Sequence, residues 1–347
     1  MRSMGPASSL GPGAGPLWFS TRRLRPSPVL ETYWRFACER QRVFFRRVLG
    51  QGPPWTADPI LRSYRFTNVY RASDRVSQHL IANVIPGSSG SAADLFFRTI
   101  LFKTFNRVGT WELLTARLGE PHVEDFDVER YERVLTAALA SGERLYSAAY
   151  VMPTPGFGLR GKHANHLRLL RSMLADELPE RLAEARSMKD AYHQLVRYPS
   201  IGPFLAFQYV IDLNYGDLLD FGEMDFVVAG PGAVDGISRC FVDLGGLPPE
   251  DVIRATAEMA AAEFERLGLP FLSLWSRPLQ LIDCQNLFCE VGKYARVAHP
   301  DVRGRSGRTR IKQRYRHDPA PVRQSYPASW GIVPRLDWEP LTTLRGG

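Results

Sequence analysis

The feature that most constrains this chain is a helical period running from Pro28 to about Pro300, with hardly an alternating β-branched run to interrupt it. Apolar residues recur every three to four positions, which turns one face of a helix toward a core. In residues 29–49 (VLETYWRFACERQRVFFRRVL), Tyr33, Phe36, Ala37, Val43, Phe44 and Val48 make such a face. Residues 58–85 follow, with Asp58 as cap and Pro59 in the first turn, positions those residues favour. The same spacing predicts helices over 91–108, 110–119, 127–141, 162–178, 187–197, 203–213, 231–244, 248–267 and 276–297. Residues 145–152 (LYSAAYVM) suit a strand or, equally, the end of a helix. No repeat of fixed period is present. The expectation is an all-α domain of about ten helices over residues 29–302. A Gly/Pro/Ser-rich segment, 1–28, and a basic, Pro-containing tail, 303–347, are expected as disordered ends.

Charge is unevenly placed. The chain of 347 residues carries a net +8. Arg2, Arg22, Arg23 and Arg25 lie in an acid-free start, and Arg303, Arg305, Arg308, Arg310, Lys312, Arg314 and Arg316 lie in an acid-free run near the end. Without those two groups, and with 317–347 balanced, residues 31–302 are left at −3. Such arms suit a polyanion, nucleic acid first, or serve only as solvated tails. No window holds 18 uninterrupted apolar residues, so a membrane span is not expected and a soluble, intracellular protein is. The start resembles an organelle transit peptide, although its Pro and Gly density opposes the amphipathic helix such a peptide needs, and a misplaced start would look the same. Cys38, Cys240, Cys284 and Cys289 form no CxxC pair and have no matching His spacing. Buried free thiols in a reducing compartment are expected rather than zinc, and neither metal nor cofactor is implied.

Three stretches carry polar groups suited to chemistry. In YPSIGPFLAFQYVIDL (198–213), Gly202 is placed to take a positive φ and Pro203 suits a first helical turn. Backbone N–H groups at such a start bind phosphate. Asp225 follows 23 residues after Gly202, with Glu223 beside it in GEMDFVVAGPGA. This arrangement resembles the helix-hairpin-helix DNA glycosylase superfamily, in which the hairpin, here Ser200 and Gly202, grips the strand and the Asp faces the extruded nucleotide. Ser200 stands where the hairpin's first Gly is usual, and Phe204 where the lyase branch carries its Schiff-base Lys. Amine-lyase chemistry at that position is thereby excluded. A plain turn between helices with an exposed Asp is the alternative.

The second stretch, residues 64–78, places Arg65, Asn68, Arg71, Arg75 and Gln78 at spacings of three and four, with Asp74 nearby and Phe66, Val69, Tyr70, Val76 and Leu80 opposite. In residues 277–300, Gln280, Asp283, Asn286, Glu290 and Lys293 share one face. Arg and amide groups give bidentate contacts to phosphates and base edges. Two such stripes either face each other across a cleft or form a buried salt-bridge network, and both can hold at once. The third stretch, Gly156 to Lys162, fits G-x-x-x-x-G-K. His163 replaces the Mg²⁺-holding Ser/Thr and no parallel-strand series surrounds the loop, so a nucleotide-binding reading fails on context. Lys162, His163, Asn165 and His166 form a polar helix start, in which Asn165 and His166 reach a ligand or cap the turn.

Together, WTADPILRSYRFTNVYRASDRVSQHLI, YPSIGPFLAFQYVIDLNYG, GEMDFVVAGPGAVDGI and LQLIDCQNLFCEVGKYARVAHP resemble the helical domain associated with 5-hydroxymethyldeoxyuridine DNA kinases. That domain is similar to the alpha-glutamyl/putrescinyl thymine pyrophosphorylases of phage DNA hypermodification. The resemblance covers roughly residues 30–302 in order. It implies a helix-hairpin-helix glycosylase-like fold and chemistry on the 5-substituent of a thymine-like base in DNA. Kinase members activate the 5-hydroxymethyl group with a phosphoryl or pyrophosphoryl group, and pyrophosphorylase members displace pyrophosphate with an amine. With no separate P-loop kinase domain expected in these residues, displacement, or recognition beside a separate P-loop kinase, fits better than phosphoryl transfer. A glycosylase that removes a modified base is a third reading. In the displacement scheme Gly202 holds a backbone phosphate, Arg65, Arg71 and Arg75 stabilise leaving pyrophosphate, and Asp225 or Glu223 accepts the amine's proton. The expected partners are DNA, a small amine and, in the recognition reading, such a kinase.

Overall fold

The computed structural model describes residues 17–19, 22–149 and 152–344, and these are mostly helical. The helices are α1 (Pro28–Val48), α2 (Pro59–Ser63), α3 (Arg75–His79), α4 (Ala92–Phe105), α5 (Val108–Leu118), α6 (Val128–Ala140), α7 (Lys162–Ala175), α8 (Leu178–Ala183), α9 (Met188–Leu195), α10 (Pro203–Leu213), α11 (Pro231–Cys240), α12 (Pro249–Arg266) and α13 (Leu281–Ala298). α1 and α2 start as their cap residues dictate: Ser27 Oγ accepts the Val29 N–H, and the Asp58 carboxylate accepts those of Ile60 and Leu61.

Two groups of helices position everything else. α11 crosses α13 at backbone contact: a Cβ on Gly236 would lie 1.8 Å from the Phe288 carbonyl oxygen, and one on Gly292 would lie 3.0 Å from Gly236 Cα. α1 lies against this pair, with Tyr33 on Phe288 and Trp34 edge-on to Phe264 of α12. The second group surrounds α4, which is buried from Asp94 to Phe105 and packs on α7, α8 and α10. α10 is likewise buried from Leu205 to Leu213. An all-round apolar helix is a central one, and these two fit that rule.

Several expectations are corrected. Residues 58–85 are not one helix. α2 stops at Ser63, Tyr64 turns extended (φ −122°, ψ 152°), and α3 begins only at Arg75, followed by a π-helical turn, Leu80–Val84. Phe66, Val69 and Tyr70 are still buried, so the apolar pattern is honoured by extended chain. The reason lies in the carboxylates: Glu290, Asp74 and Asp283 accept the N–H groups of Thr67, Asn68 and Arg71 in place of helical carbonyls. α8 forms where no helix was expected, and the helix expected to reach residue 244 ends at Cys240. Described residues 145–149 and 152 form no strand; residues 150 and 151 lie outside the described residues.

The ends also differ from expectation. β1 (Leu17–Phe19), β2 (Arg22–Pro26) and β3 (Phe241–Asp243) pair antiparallel in that order, so part of the segment read as unpacked joins the body. Residues 1–16, 20 and 21 lie outside the described residues. The tail, read as a disordered arm, is laid along the helices instead. Arg65 N–H donates to Gln313 O and Tyr315 N–H to Ser63 O. Gln78 exchanges two hydrogen bonds with the Ser325 backbone. Leu341 and Leu344 are buried in a final turn. Apolar residues scattered through a basic, Pro-rich tail supply the burial that its average composition conceals.

Candidate functional site: a hairpin, an acidic loop and an aromatic-capped charge network

α9 and α10 are joined by a tight turn in which the left-handed residue is Ser200 (φ 64°), whereas Gly202, expected to hold that conformation, sits at φ −75° as the N-cap of α10. Ser200 Oγ donates to Thr154 O at 3.1 Å, which fixes the turn to the preceding loop. Gly202 is exposed, nothing lies within 4 Å of a Cβ built there, and no side chain caps α10. A backbone approaching this start meets no side chain at Gly202. The Phe204 ring covers Gly230, whose Cβ would come within 2.7 Å of it, so the hairpin is joined to the loop that follows α10.

That loop is pinned at both ends and presents two carboxylates in opposite directions. The Asn214 side chain bonds both backbone groups of Phe221, and Glu250 accepts the Ala229 N–H. Phe226 packs on Tyr192 of α9 and Phe207 of α10. Arg254 donates to the carbonyls of Met224 and Asp225, holding the turn on which Asp225 is exposed. Glu223 turns inward and pairs with Arg277 at 2.8 Å. Burial raises its carboxyl above the ordinary value while Arg277 opposes the rise, and its Oε1 has no hydrogen-bond partner among the described residues. The Arg277 guanidinium lies 3.7 Å from the centre of the Trp330 ring, supplied by the tail. Before it, Trp275 and Ser276 hold left-handed backbone (φ 46° and 74°), a conformation that non-glycine residues retain only when their surroundings impose it. Trp275, Arg277, Trp330, Arg335 and Trp338 line an open cleft of about 540 Å³ between residues 275–278 and the tail.

The residues read as two facing stripes do meet, as a buried network. Gln280 and Asp283 form a reciprocal cap at the start of α13, and Asp283 also accepts the Arg71 N–H at 2.8 Å. Burial, reinforced by Glu223, pushes Asp283 up to about 7. The Arg71 side chain enters the core, where it pairs with Asp212 at 2.9 Å and donates to Gln208 and Tyr215. Lys103 holds the other Asp212 oxygen at 3.2 Å and is brought down to about 8 by burial. Asn68 bonds Arg40 and Ser73, beside an Asp74 that burial raises to about 6. Glu290 pairs with Lys293, whose ammonium reaches Arg65 O. Gln78 is spent on Ala72 and Ser325, and Asn286 accepts from Gln285. Arg65 and Arg75 are exposed while Arg71 is buried, so the three do not share a face.

The third set is occupied in holding its own loop. Lys162 lies over the Tyr146 ring, and His163 bonds Thr136. Asn165 closes on Leu159 and Gly161, and His166 bridges Tyr146 OH and Pro153 O. Burial lowers His166 to about 4. Asp212, Lys103, Tyr215, Arg277 and Trp330 were not anticipated. A signal existed for two of them: single charges inside the apolar runs LAFQYVIDL and LFFRTILFKTF require a buried partner.

Among the described residues no helix is long and apolar enough to cross a membrane. The family model described as 5-hmdU DNA kinase, helical domain, matches residues 27–304. The 5-hmdU DNA kinase of Bacillus phage SP10 is 30% identical over 297 residues, covering 78% of this chain and 46% of that protein. The chain thus spans about half the length of this curated relative. No solved structure matches. With the family model spanning nearly the whole helical body, the chain belongs to the family of the 5-hmdU DNA kinase helical domain.

Proposed function

We propose that this chain binds DNA containing 5-hydroxymethyluracil, or a base derived from it, and acts on the 5-substituent of that base. The observation that carries the reading is the match of residues 27–304 to the helical domain of 5-hmdU DNA kinases. The exposed, uncapped start of α10 supports it, since helix starts of this kind take phosphate oxygens on backbone N–H groups. The hairpin holds the strand in the manner of the helix-hairpin-helix glycosylases, and the target nucleotide leaves the stack toward the Asp225 loop, a step that costs a few kcal/mol.

The chemistry that suits an exposed carboxylate there is group transfer from an activated base. An amine nitrogen attacks the 5-methylene carbon and the C–O bond to the pyrophosphoryl group breaks. Pyrophosphate leaves with the bonding electrons, and the Asp225 carboxylate takes the amine's proton. Arg254, already bound to the Asp225 carbonyl, is a cation tied to that turn. The ion pair between Arg71 and Asp212 favours a second reading: with Arg71 committed to the core, the Arg65–Arg71–Arg75 clamp is not assembled, and the chain serves as a reader beside a separate P-loop kinase.

Incubation of duplex DNA carrying 5-pyrophosphomethyluracil with candidate amines, followed by nucleoside mass spectrometry, separates these outcomes. An amine adduct that disappears in Asp225→Asn, with DNA binding retained, supports transfer. Free base release makes the chain a glycosylase. Unchanged nucleoside with tighter binding to 5-hydroxymethyluracil than to thymine DNA makes it a reader, and equal binding to both DNAs without turnover ends the proposal.

A further inference from the structure

The cations of the tail are ordered in a way that composition does not reveal. Arg308, Arg310, Lys312, Arg314 and Arg316 occupy every second position, and all five are exposed. Among the described residues none of them forms a salt bridge, and the run 303–316 contains no acid. Of the residues between them, Ile311 is buried and Tyr315 half-buried, which turns this part of the run down onto the body, while Thr309 and Gln313 are exposed.

The backbone beneath is tied down along its length. Arg239 donates to Arg308 O at 2.9 Å and Arg296 to Arg310 O at 3.2 Å. Residues 313–315 pair antiparallel with 63–65 across a bridge between Tyr64 and Arg314, and the Arg314 guanidinium sits 4.5 Å above the Tyr64 ring. The segment therefore crosses α11, α13 and α2 as a fixed ridge. Burial chiefly lowers the affinity of Arg296 for its proton, Asp235 opposes the shift, and Arg239 and Arg308 add to it.

We propose that residues 308–316 form a comb that tracks the phosphates of one DNA strand, a second contact apart from the α9–α10 hairpin. Extended chain advances about 3.3 Å per residue, so alternate side chains stand about 6.6 Å apart. That is close to twice the roughly 3.4 Å axial interval between phosphates on one strand of B-DNA. Five such cations span about 26 Å, the reach of roughly eight phosphates. Their spacing lets each meet its own phosphate without crowding a neighbour. The outward positions carry neither the aromatic and leucine residues that anchor a chain in a lipid surface nor the acids that would complement a mixed protein face. The comb deepens the functional reading given above and rests on it for the choice of DNA as the polyanion.

The test replaces Arg308, Arg310, Lys312, Arg314 and Arg316 together by Gln in the full chain. A control replaces five exposed arginines of α5 to α7 and their loops, Arg117, Arg130, Arg133, Arg144 and Arg168, in the same way. Association with unmodified DNA is measured against salt by fluorescence anisotropy, and far-UV circular dichroism verifies that both variants keep their helix content. The slope of log K against log salt should fall by about 4.5 for duplex, or about 3.5 for a single strand, in the comb variant and hardly in the control. An unchanged slope, or an equal fall in the control, overturns the comb. Loss of binding to phosphatidylserine vesicles or to an acidic peptide, with the DNA slope intact, also overturns it and assigns the ridge to that partner. Repeating the titration with 5-hydroxymethyluracil DNA separates the two proposals. A wild-type preference for the modified base together with an unchanged slope defeats the comb alone. A lowered slope without any preference defeats the base-specific reading alone.

Discussion

Arg71 offers the sharpest test of the architecture. Its guanidinium is almost fully buried against a fully buried Asp212 at 2.9 Å, with hydrogen bonds of 3.1 Å to Gln208 and 3.2 Å to Tyr215. Arg71→Met removes the charge and leaves Asp212 with Lys103 as its remaining ionic partner at 3.2 Å. Breaking one side of a buried ion pair costs about 3–5 kcal/mol where the remaining charge is uncompensated, and with Lys103 still on Asp212 the loss should fall at the low end, about 3 kcal/mol. The stranded Gln208 and Tyr215 groups fall within that figure rather than adding to it, since the contacts share one network. Arg75→Met, on an exposed side chain of the same stretch, should change stability by no more than about 0.5 kcal/mol. Asp212→Asn combined with Arg71→Met should recover about 2 kcal/mol relative to the sum of the single changes. Urea unfolding followed by tryptophan fluorescence, with the slopes of all variants compared, measures each value. If Arg71→Met costs less than about 1 kcal/mol, or no more than Arg75→Met, the buried network is not what holds residues 64–78 to the body.

Two further outcomes follow from the same reasoning. His166 is held neutral, its pKa brought from 6.5 to about 4 by burial, so the folded chain binds fewer protons there than the unfolded chain between those values. Its contribution is complete above about pH 6.5 and is lost as pH falls through 6.5 toward 4, by up to about 3 kcal/mol. Urea midpoints across that range should therefore fall less steeply in His166→Gln than in the parent. At the α11–α13 crossing, Gly236→Ala sets a Cβ against the Phe288 carbonyl, and rigid backbone on both sides leaves no flexible atom to yield. It should cost about 3 kcal/mol, and a thermal midpoint equal to wild type would show that the helices can separate without loss.

Much of the fold was legible because local periodicity and burial agree over most of the chain. α4, α6, α7, α9, α10 and α12 fall within stretches whose apolar spacing predicts them, and α1 and α13 match theirs to within one residue at one end. The failure over residues 58–85 has a clear cause. Phe66, Val69 and Tyr70 are spaced as on a helix face, yet what decides their backbone is whether the N–H groups of Thr67, Asn68 and Arg71 find helical carbonyls or distant carboxylates. Asp283 and Glu290 lie more than 200 residues away, so no window of sequence contains the competition. The candidate site was legible in the same unequal way. The hairpin and the Asp225 loop are local, and the sequence places them. The pairing of Glu223 with Arg277 beneath Trp330 joins three distant segments, one of them in a tail whose composition read as unpacked.

The alternation of Arg308, Arg310, Lys312, Arg314 and Arg316 is the opposite case. It is a period of two written openly in nine residues, which acquires meaning only once they are placed along a backbone that is neither helical nor free. If that ridge contacts one part of a DNA strand and the α9–α10 hairpin another, the two contacts act as one through their shared scaffold. Weakening the comb should then speed dissociation of modified and unmodified DNA by the same factor. A change at Asp225, which in the proposed function faces the base and not the strand, should leave both dissociation rates alone. Stopped-flow dissociation with salt held constant distinguishes this from two independent sites, for which loss of the comb would leave dissociation from the hairpin unchanged.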